Sequence, residues 1–331
     1  MYAAAENRYD KMKYYRAGNT GLKLPAMSLG LWHNFGKYDN EDNMKALIHT
    51  AFDHGITHFD LANNYGPEPG RAEVNFGRIY EEDLRPYRDE LLISTKAGCE
   101  MWDGPYGQLG SRKHLLSSLD QSLKRMKLDY VDIFYLHCMD LETPVEESTL
   151  ALDQAVKSGK ALYVGISNHD GEQAAKAMAV LNELRTPFVL YQNSYSILNR
   201  KIENNGLKQF ALEHGQGIIA FKPLEQGLLT DKYLNGIPHD SRMYRDGRYL
   251  RESSLTPEKL AKIGDLNEIA IGRGQSLAQM AVAWVSQDPV VTSVLIGASR
   301  PEQILDNLGM LDNSEFTAAE LAEIEEIVNR I

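Results

Sequence analysis

Residues 57–66 read THFDLANNYG, residues 91–98 read LLISTKAG, and residues 131–138 read VDIFYLHC. Each is a short apolar, β-rich run that ends in polar side chains able to do chemistry. Asp60, Lys96 and His137 stand at the ends of the three runs, and Tyr65 lies in the loop after the first. In a barrel of alternating strands and helices, the C-terminal strand ends and the loops after them form the reactive face. There a carboxylate, a phenol, an ammonium and an imidazole converge, a set that can protonate a carbonyl oxygen while another agent delivers hydride.

The same grammar extends outward. AMSLGL, ALYVGIS, FVLYQ, GIIAF and TSVLIG complete a set of eight strand-like runs. Helix-patterned stretches lie between them at 40–54, 71–82, 111–127, 145–158, 170–184, 200–214 and 276–287, and 301–310 follows the last strand. Ser111 can cap its helix, Glu172 suits the positive end of the one after Asp170, and Gly159 and Gly215 follow helix ends. Strict alternation predicts a parallel sheet covered by helices. Eight strands predict closure, so the expected fold is an α/β (β/α)8 TIM barrel forming a single domain over 1–331. KYYRAGNTGLKLP reads as a hairpin before the barrel that plugs its bottom, and 316–331, with Thr317 as cap, as an extra terminal helix. The longest irregular stretch, 224–257, has the length of a lid.

Composition bounds the function. The 331 residues are 43% hydrophobic, enough for a large core. No apolar run approaches the ~18 residues of a membrane span. The polar start MYAAAENRYDKMKYY lacks the apolar centre of a secretory signal, which predicts a cytoplasmic protein. A net charge of −11 disfavours nucleic acid and anionic membranes as partners. The two cysteines, Cys99 and Cys138, are too few for a disulfide framework or a zinc site, so no metal is expected. Cys138 follows His137 on a strand, where neighbours face opposite ways, and is read as a rim or packing residue.

A dinucleotide would need an unusual cradle. Gly272-Arg273-Gly274 follows a helical pattern and lacks the third glycine of a Rossmann turn, and neither a P-loop nor HExxH occurs. Ser167-Asn168, Gln192 and Gly297-Ala298-Ser299-Arg300 end late strands. Amide and hydroxyl groups suit a carboxamide, and backbone N–H groups with an arginine suit a phosphate; Ser or Asn at a strand end can equally cap the next helix.

In the expected site, Tyr65 is the general acid and the Lys96 ammonium lowers its phenol from about 10. Asp60 pairs with Lys96, and His137 donates to the carbonyl oxygen. Each has an ordinary structural reading on its own; the four together do not. Trp32, Phe35, Trp102 and Tyr106 fall in front loops and can wall a pocket or simply pack there. Arg242, Arg245, Arg248 and Arg251 could clamp a phosphate, although Asp240, Asp246 and Glu252 favour a solvated loop.

FDLANNYG, STKAG, DIFYLH, GISN, KPLEQGLLTDKY and VLIGASRPEQILDN together resemble the aldo-keto reductase superfamily, over nearly the whole chain. Further strings such as LGLWHNFG, WDGPYG and GKALYVGIS are similar to the branch of bacterial L-glyceraldehyde 3-phosphate reductases and potassium-channel β-subunits, and favour the reductases. The resemblance implies NADP(H) bound extended across the barrel face and reduction of a small aldehyde or ketone, with L-glyceraldehyde 3-phosphate and methylglyoxal as candidates. It puts Asp60, Tyr65, Lys96 and His137 in the catalytic tetrad. It assigns cofactor contacts to Gly30, Leu31, Trp32, Asp60, Ser167, Asn168, Gln192, Phe221, Lys222, Pro223, Leu224, Gln226, Gly227, Leu228 and Lys232. It adds Gly297, Ser299, Arg300, Gln303 and Asn307 at the adenosine end, with Arg300 toward a 2′-phosphate. Trp32, Tyr65, Trp102, Tyr106 and His137 would meet substrate. It also implies a homo-oligomer of four or eight. The alternative is an NADP-binding, redox-sensing subunit of the channel type; His137, an amide position in that group, argues for catalysis. Two departures stand out. Cys138-Met139-Asp140 stands where the reductase branch offers an arginine, which removes an expected partner for a substrate phosphate. Lys222 replaces a neutral residue.

Overall fold

The structure is a computed structural model that describes residues 2–234, 236–238, 242–245 and 250–330. A hairpin of β1 (Tyr14–Arg16) and β2 (Lys23–Pro25) comes first. The chain continues through β3 (Met27–Gly30), α1 (Glu41–Asp53), β4 (His58–Asp60), α2 (Arg71–Ile79), β5 (Leu92–Ala97), α3 (Arg112–Met126), β6 (Val131–Leu136) and α4 (Val145–Lys157). Next are β7 (Ala161–Ser167), α5 (Gly171–Glu183), β8 (Phe188–Ser194), α6 (Lys201–Asn204), α7 (Leu207–Glu213), β9 (Gly217–Phe221) and the short α8 (Arg242–Arg245). Last are α9 (Pro257–Gly272), α10 (Leu277–Ser286), β10 (Val291–Ile296), α11 (Pro301–Leu308) and α12 (Ala318–Asn329). The strands close as β10-β3-β4-β5-β6-β7-β8-β9, each pair parallel. This is the eight-stranded TIM barrel the sequence predicts.

Alternation along the strands sorts the side chains. Phe59 points outward and meets Phe76 of α2, with ring centroids 6.0 Å apart. Ile133, Tyr135, Leu190, Ile219 and Leu295 cluster inside the barrel. Ala17 and Leu24 of the hairpin, both fully buried, join that inner cluster, and Asn19 N donates to Gly215 O at 2.8 Å. The hairpin therefore closes the bottom of the barrel. At the other end, the inward positions at or near the ends of β4, β5, β6 and β8 are polar: Asp60, Lys96, His137 and Gln192.

The helices start where the sequence supplies caps. Asn40, Ser111, Asp170 and Thr256 each accept from a backbone N–H in the first turn, and Ser276 with Gln279 and Thr317 with Glu320 form capping boxes. Two predicted helices differ. The stretch 71–82 is α-helical only to Ile79; a π turn (Tyr80–Leu84) and a 3-10 segment (Arg85–Glu90) with Pro86 near its start follow. The stretch 200–214 breaks between α6 and α7, where Gly206 takes φ +80° and its backbone would lie 2.6 Å from a Cβ on Gly171. Helix α9 carries the pattern ahead of Gly272. Expectations for Asp240, Asp246 and Arg248, and for the side chains of Arg242 and Arg245, lie outside the described residues.

The sequence analysis did not pair the two cysteines with each other: Cys99 and Cys138 are disulfide-bonded, with Cα atoms 5.7 Å apart. Strands β5 and β6 pair with Ala97 opposite Leu136, and the register carried on two residues sets Cys99 opposite Cys138. Alternation separates Cys138 from His137 but not from a cysteine on the adjacent strand.

Candidate active site

Lys96 is completely buried, at the inward end of β5. Its Nζ donates to Asp60 Oδ2 at 2.5 Å, to the Leu61 carbonyl at 2.7 Å and to Tyr65 Oη at 3.4 Å. An ammonium has three donors, and all three are engaged. Tyr65 thus accepts from Lys96 and keeps its own hydroxyl proton to donate. The Tyr65 and His137 rings meet edge to face, with centroids 5.8 Å apart. His137 Nδ1 is buried without a hydrogen-bond partner. The four expected groups are gathered in one place.

Behind them runs a polar chain that the sequence analysis missed. Ser94 Oγ donates to Asp60 Oδ1 at 2.6 Å, so it accepts from His58 Nε2 at 2.9 Å. His58 Nδ1 then accepts from Ser28 Oγ at 2.8 Å, and Ser28 accepts from Ser293 Oγ at 2.6 Å. All are buried, and direction passes from Ser293 to Asp60 without a break. Gln192 Nε2 also donates to Asp60 Oδ1, at 3.0 Å. The signal was the strand period: His58 lies two residues before Asp60, and Ser94 two before Lys96, so each shares the inward face.

Protonation follows from burial. Desolvation alone would raise Asp60, but the Lys96 charge, His58 and the hydrogen bonds from Lys96 and Ser94 together hold its carboxyl below the usual value. Burial pulls Lys96 down, with Asp60 opposing. Burial first, then the Asp60 charge, pushes the Tyr65 phenol well above its ordinary value of 10.0. The expected depression by Lys96 is absent: Asp60, in direct contact with the ammonium, offsets its effect on the phenol. Burial, then the Lys96 charge, lowers His137 to about 3, and burial lowers His58 to about 4. At neutral pH the site therefore holds a protonated phenol and two neutral imidazoles.

The later strands present a different set. Asn168 takes φ 62°, and its Nδ2 donates to the His137 carbonyl at 2.9 Å and to Ser167 Oγ at 3.1 Å. After β9, Lys222, Glu225 and Gln226 all have positive φ (57°, 45° and 60°), and Gly227 follows at 99°. The Lys222 ammonium lies 5.6 Å from the Trp32 ring centre and 5.7 Å from that of Phe221. Trp32 in turn lies 6.1 Å from Tyr65. Gly227 N and Leu229 N both donate to the Leu224 carbonyl, and Pro223 and Leu228 are buried. Beyond Gly297, Ser299 N donates to Gln303 Oε1 at 2.8 Å, Asn307 is buried at the base of α11, and Arg300 stands exposed at its start.

Some expected residues turn elsewhere. Leu31 and Phe35 are core side chains, although Gly30 ends β3 beside Asp60 and Leu31 N donates to the Asp60 carbonyl. Trp102 packs on His114 at 5.1 Å, and Tyr106 is 51% exposed with Lys113 over its ring. Neither has a hydrogen bond or ring contact with the tetrad. Two open clefts of about 490 and 780 Å³, one near Thr57 and Leu92, the other near Gly217 and Thr292, lie at the N-terminal strand ends, away from this chemistry. No cluster of metal ligands occurs among the described residues, and no described helix is long and apolar enough to cross a membrane.

A closed parallel barrel with a buried Asp–Lys pair, a phenol and an imidazole at its C-terminal face is the architecture of a carbonyl oxidoreductase. The chain belongs to the aldo/keto reductase family, whose profile matches residues 26–329. It is 56% identical over 329 residues, 98% of this chain and 95% of the relative, to the L-glyceraldehyde 3-phosphate reductase of Escherichia coli (strain K12). It is 36% identical over 324 residues, 96% of this chain and 97% of the relative, to a probable voltage-gated potassium channel subunit beta of Oryza sativa subsp. japonica. A protein of the same description in Arabidopsis thaliana is also 36% identical over 324 residues.

Proposed function

We propose that this enzyme is an NADPH-dependent reductase of small aldehydes, with glyceraldehyde 3-phosphate and methylglyoxal as leading substrates and Tyr65 as the proton donor. The observation that carries the reading is the Tyr65 hydroxyl, which accepts from Lys96 while its own proton stays free, beside a buried His137 Nδ1 with no partner.

The donor set fits NADP(H). Ser167 and Asn168 offer a hydroxyl and an amide to a carboxamide, and Phe221 offers a ring face. The Lys222 ammonium suits a pyrophosphate, and the exposed Arg300, whose nearest carboxylate, Glu302, is 4.0 Å away, suits a 2′-phosphate. Bound there, the cofactor supplies hydride. The residues do the rest. Lys96 orients the Tyr65 hydroxyl, and Asp60 fixes Lys96 through direct contact. A phenol raised by burial keeps its proton at neutral pH and releases it when negative charge develops on the carbonyl oxygen, because an alkoxide is the stronger base. His137, neutral, donates a hydrogen bond to the same oxygen and leaves the charge for Tyr65 to quench.

His137 also favours catalysis over a binding-only role of the channel-subunit kind. The test is NADPH oxidation against an aldehyde panel. Turnover of at least one small aldehyde is expected; tight copurified NADP with no turnover of any member would reverse the ranking.

A further inference from the structure

We propose that Cys99 and Cys138 form a reversible thiol–disulfide site at the rim of the carbonyl pocket, taking small disulfides such as oxidised glutathione as its oxidant. The ladder between β5 and β6 sets the pair side by side whether or not the sulfurs are joined. His137 N donates to the Ala97 carbonyl at 2.9 Å, and a Cβ on Gly98 would stand 3.3 Å from Cys138 N. The Cα separation of 5.7 Å lies inside the range a disulfide accepts. Reduced, the two thiols therefore stay within reach of each other, and closing the bond requires no backbone rearrangement. Both residues are partly exposed, whereas inert structural cysteines are buried.

The exchange balances without another reagent. One cysteine thiolate attacks the small disulfide and releases one thiol. The second thiolate attacks the mixed disulfide, forms the Cys99–Cys138 bond and releases another. Two electrons pass from the cysteines to the small disulfide, and two protons end on the two thiols released.

The bond ties two loop roots. Cys99 begins the loop that carries Trp102 and Tyr106, three residues after Lys96; Cys138 begins the loop directly after His137. The far end of the first loop is already held, since Gly110 N donates to Asp140 Oδ2 at 2.8 Å and Ser148 Oγ donates to the Gly110 carbonyl at 2.7 Å. The disulfide anchors the near end. The Lys96 contacts to Asp60, Leu61 and Tyr65 come from other strand ends and are untouched by reduction, whereas His137 directly precedes Cys138. The site thus acts on the carbonyl compound through the strand end that holds His137 and leaves the Lys96–Tyr65 contact alone. This second part rests on the reductase reading.

The test equilibrates the full-length protein across a series of reduced and oxidised glutathione and reads three quantities. These are thiol content by alkylation and mass measurement, backbone hydrogen exchange of residues 100–109, and KM for methylglyoxal and for NADPH. The expected result is one shared midpoint, faster exchange in the reduced form, and a KM for methylglyoxal raised about three- to tenfold, the scale of freeing one or two ordered side chains. KM for NADPH should stay within about twofold. C138S should match the reduced wild type in every buffer. Cysteines that never interconvert in native protein, or that interconvert with no change in exchange or KM, overturn the proposal. If no aldehyde is turned over in either state, the reductase reading fails, and alkylation with exchange still decides the thiol site.

Discussion

The two halves of the barrel mouth are built on opposite plans. On the side of β4, β5 and β6, the working groups are buried and already bonded to one another: Asp60 accepts from Lys96, Ser94 and Gln192, and Lys96 has every donor engaged. On the side of β7, β9 and β10, they sit on loop backbone in left-handed conformations or stand exposed, as Arg300 does. Proton handling needs fixed distances, which a closed polar network supplies before any ligand arrives. A long, flexible cofactor is met better by loop groups and exposed charges open to solvent, such as Arg300, than by a closed buried network. Four measurements test this contrast.

The largest effect belongs to the buried half. Tyr65→Phe should lower kcat by roughly 10²–10⁴, the scale of lost acid catalysis, with little change in cofactor affinity measured by fluorescence quenching. A rate near wild type would remove Tyr65 from the chemistry. Next, Asp60→Ala should destabilise the fold by about 3–5 kcal/mol in denaturant titrations, because it leaves a fully buried ammonium unpaired. If stability is unchanged, the network is not closed as described.

Acid should act through the same half. The folded pKa of His58 is depressed to about 4 from 6.5, so the unfolded chain binds its proton first as pH falls. Stability is full above about pH 6.5 and declines toward pH 4, by on the order of 3 kcal/mol from this residue. His137 extends the loss toward pH 3. Thermal melts of wild type and His58→Asn should diverge in their pH slope within that window; parallel curves would place the loss elsewhere. The smallest effect belongs to the open half. Arg300→Leu should raise KM for NADPH about tenfold and leave KM for NADH unchanged, with no shift in melting temperature. Equal changes for both cofactors would detach Arg300 from a 2′-phosphate.

Much of this was legible in one dimension because the strand period does the sorting. A run such as HFD or STK announces which residues face inward, and the run's end announces the barrel mouth. The same rule, applied two residues earlier, would have named His58 and Ser94. Other features were not local. The break at Gly206 depends on the close approach of Gly171 from another helix. Trp102 looked like a pocket wall by position and instead packs on His114. The cysteine pair depended on register between strands, which no single strand encodes.

The chain's local pattern was enough for the barrel, its closure by a bottom hairpin, and the gathering of Asp60, Tyr65, Lys96 and His137 at one mouth, because alternation and strand ends are local properties. Tertiary structure alone decided their protonation and the bonding of the cysteines. Both turn on distances between strands remote in sequence: burial beside Asp60 raises the Tyr65 phenol where a lone Lys96 would have lowered it, and the β5–β6 register brings Cys99 opposite Cys138.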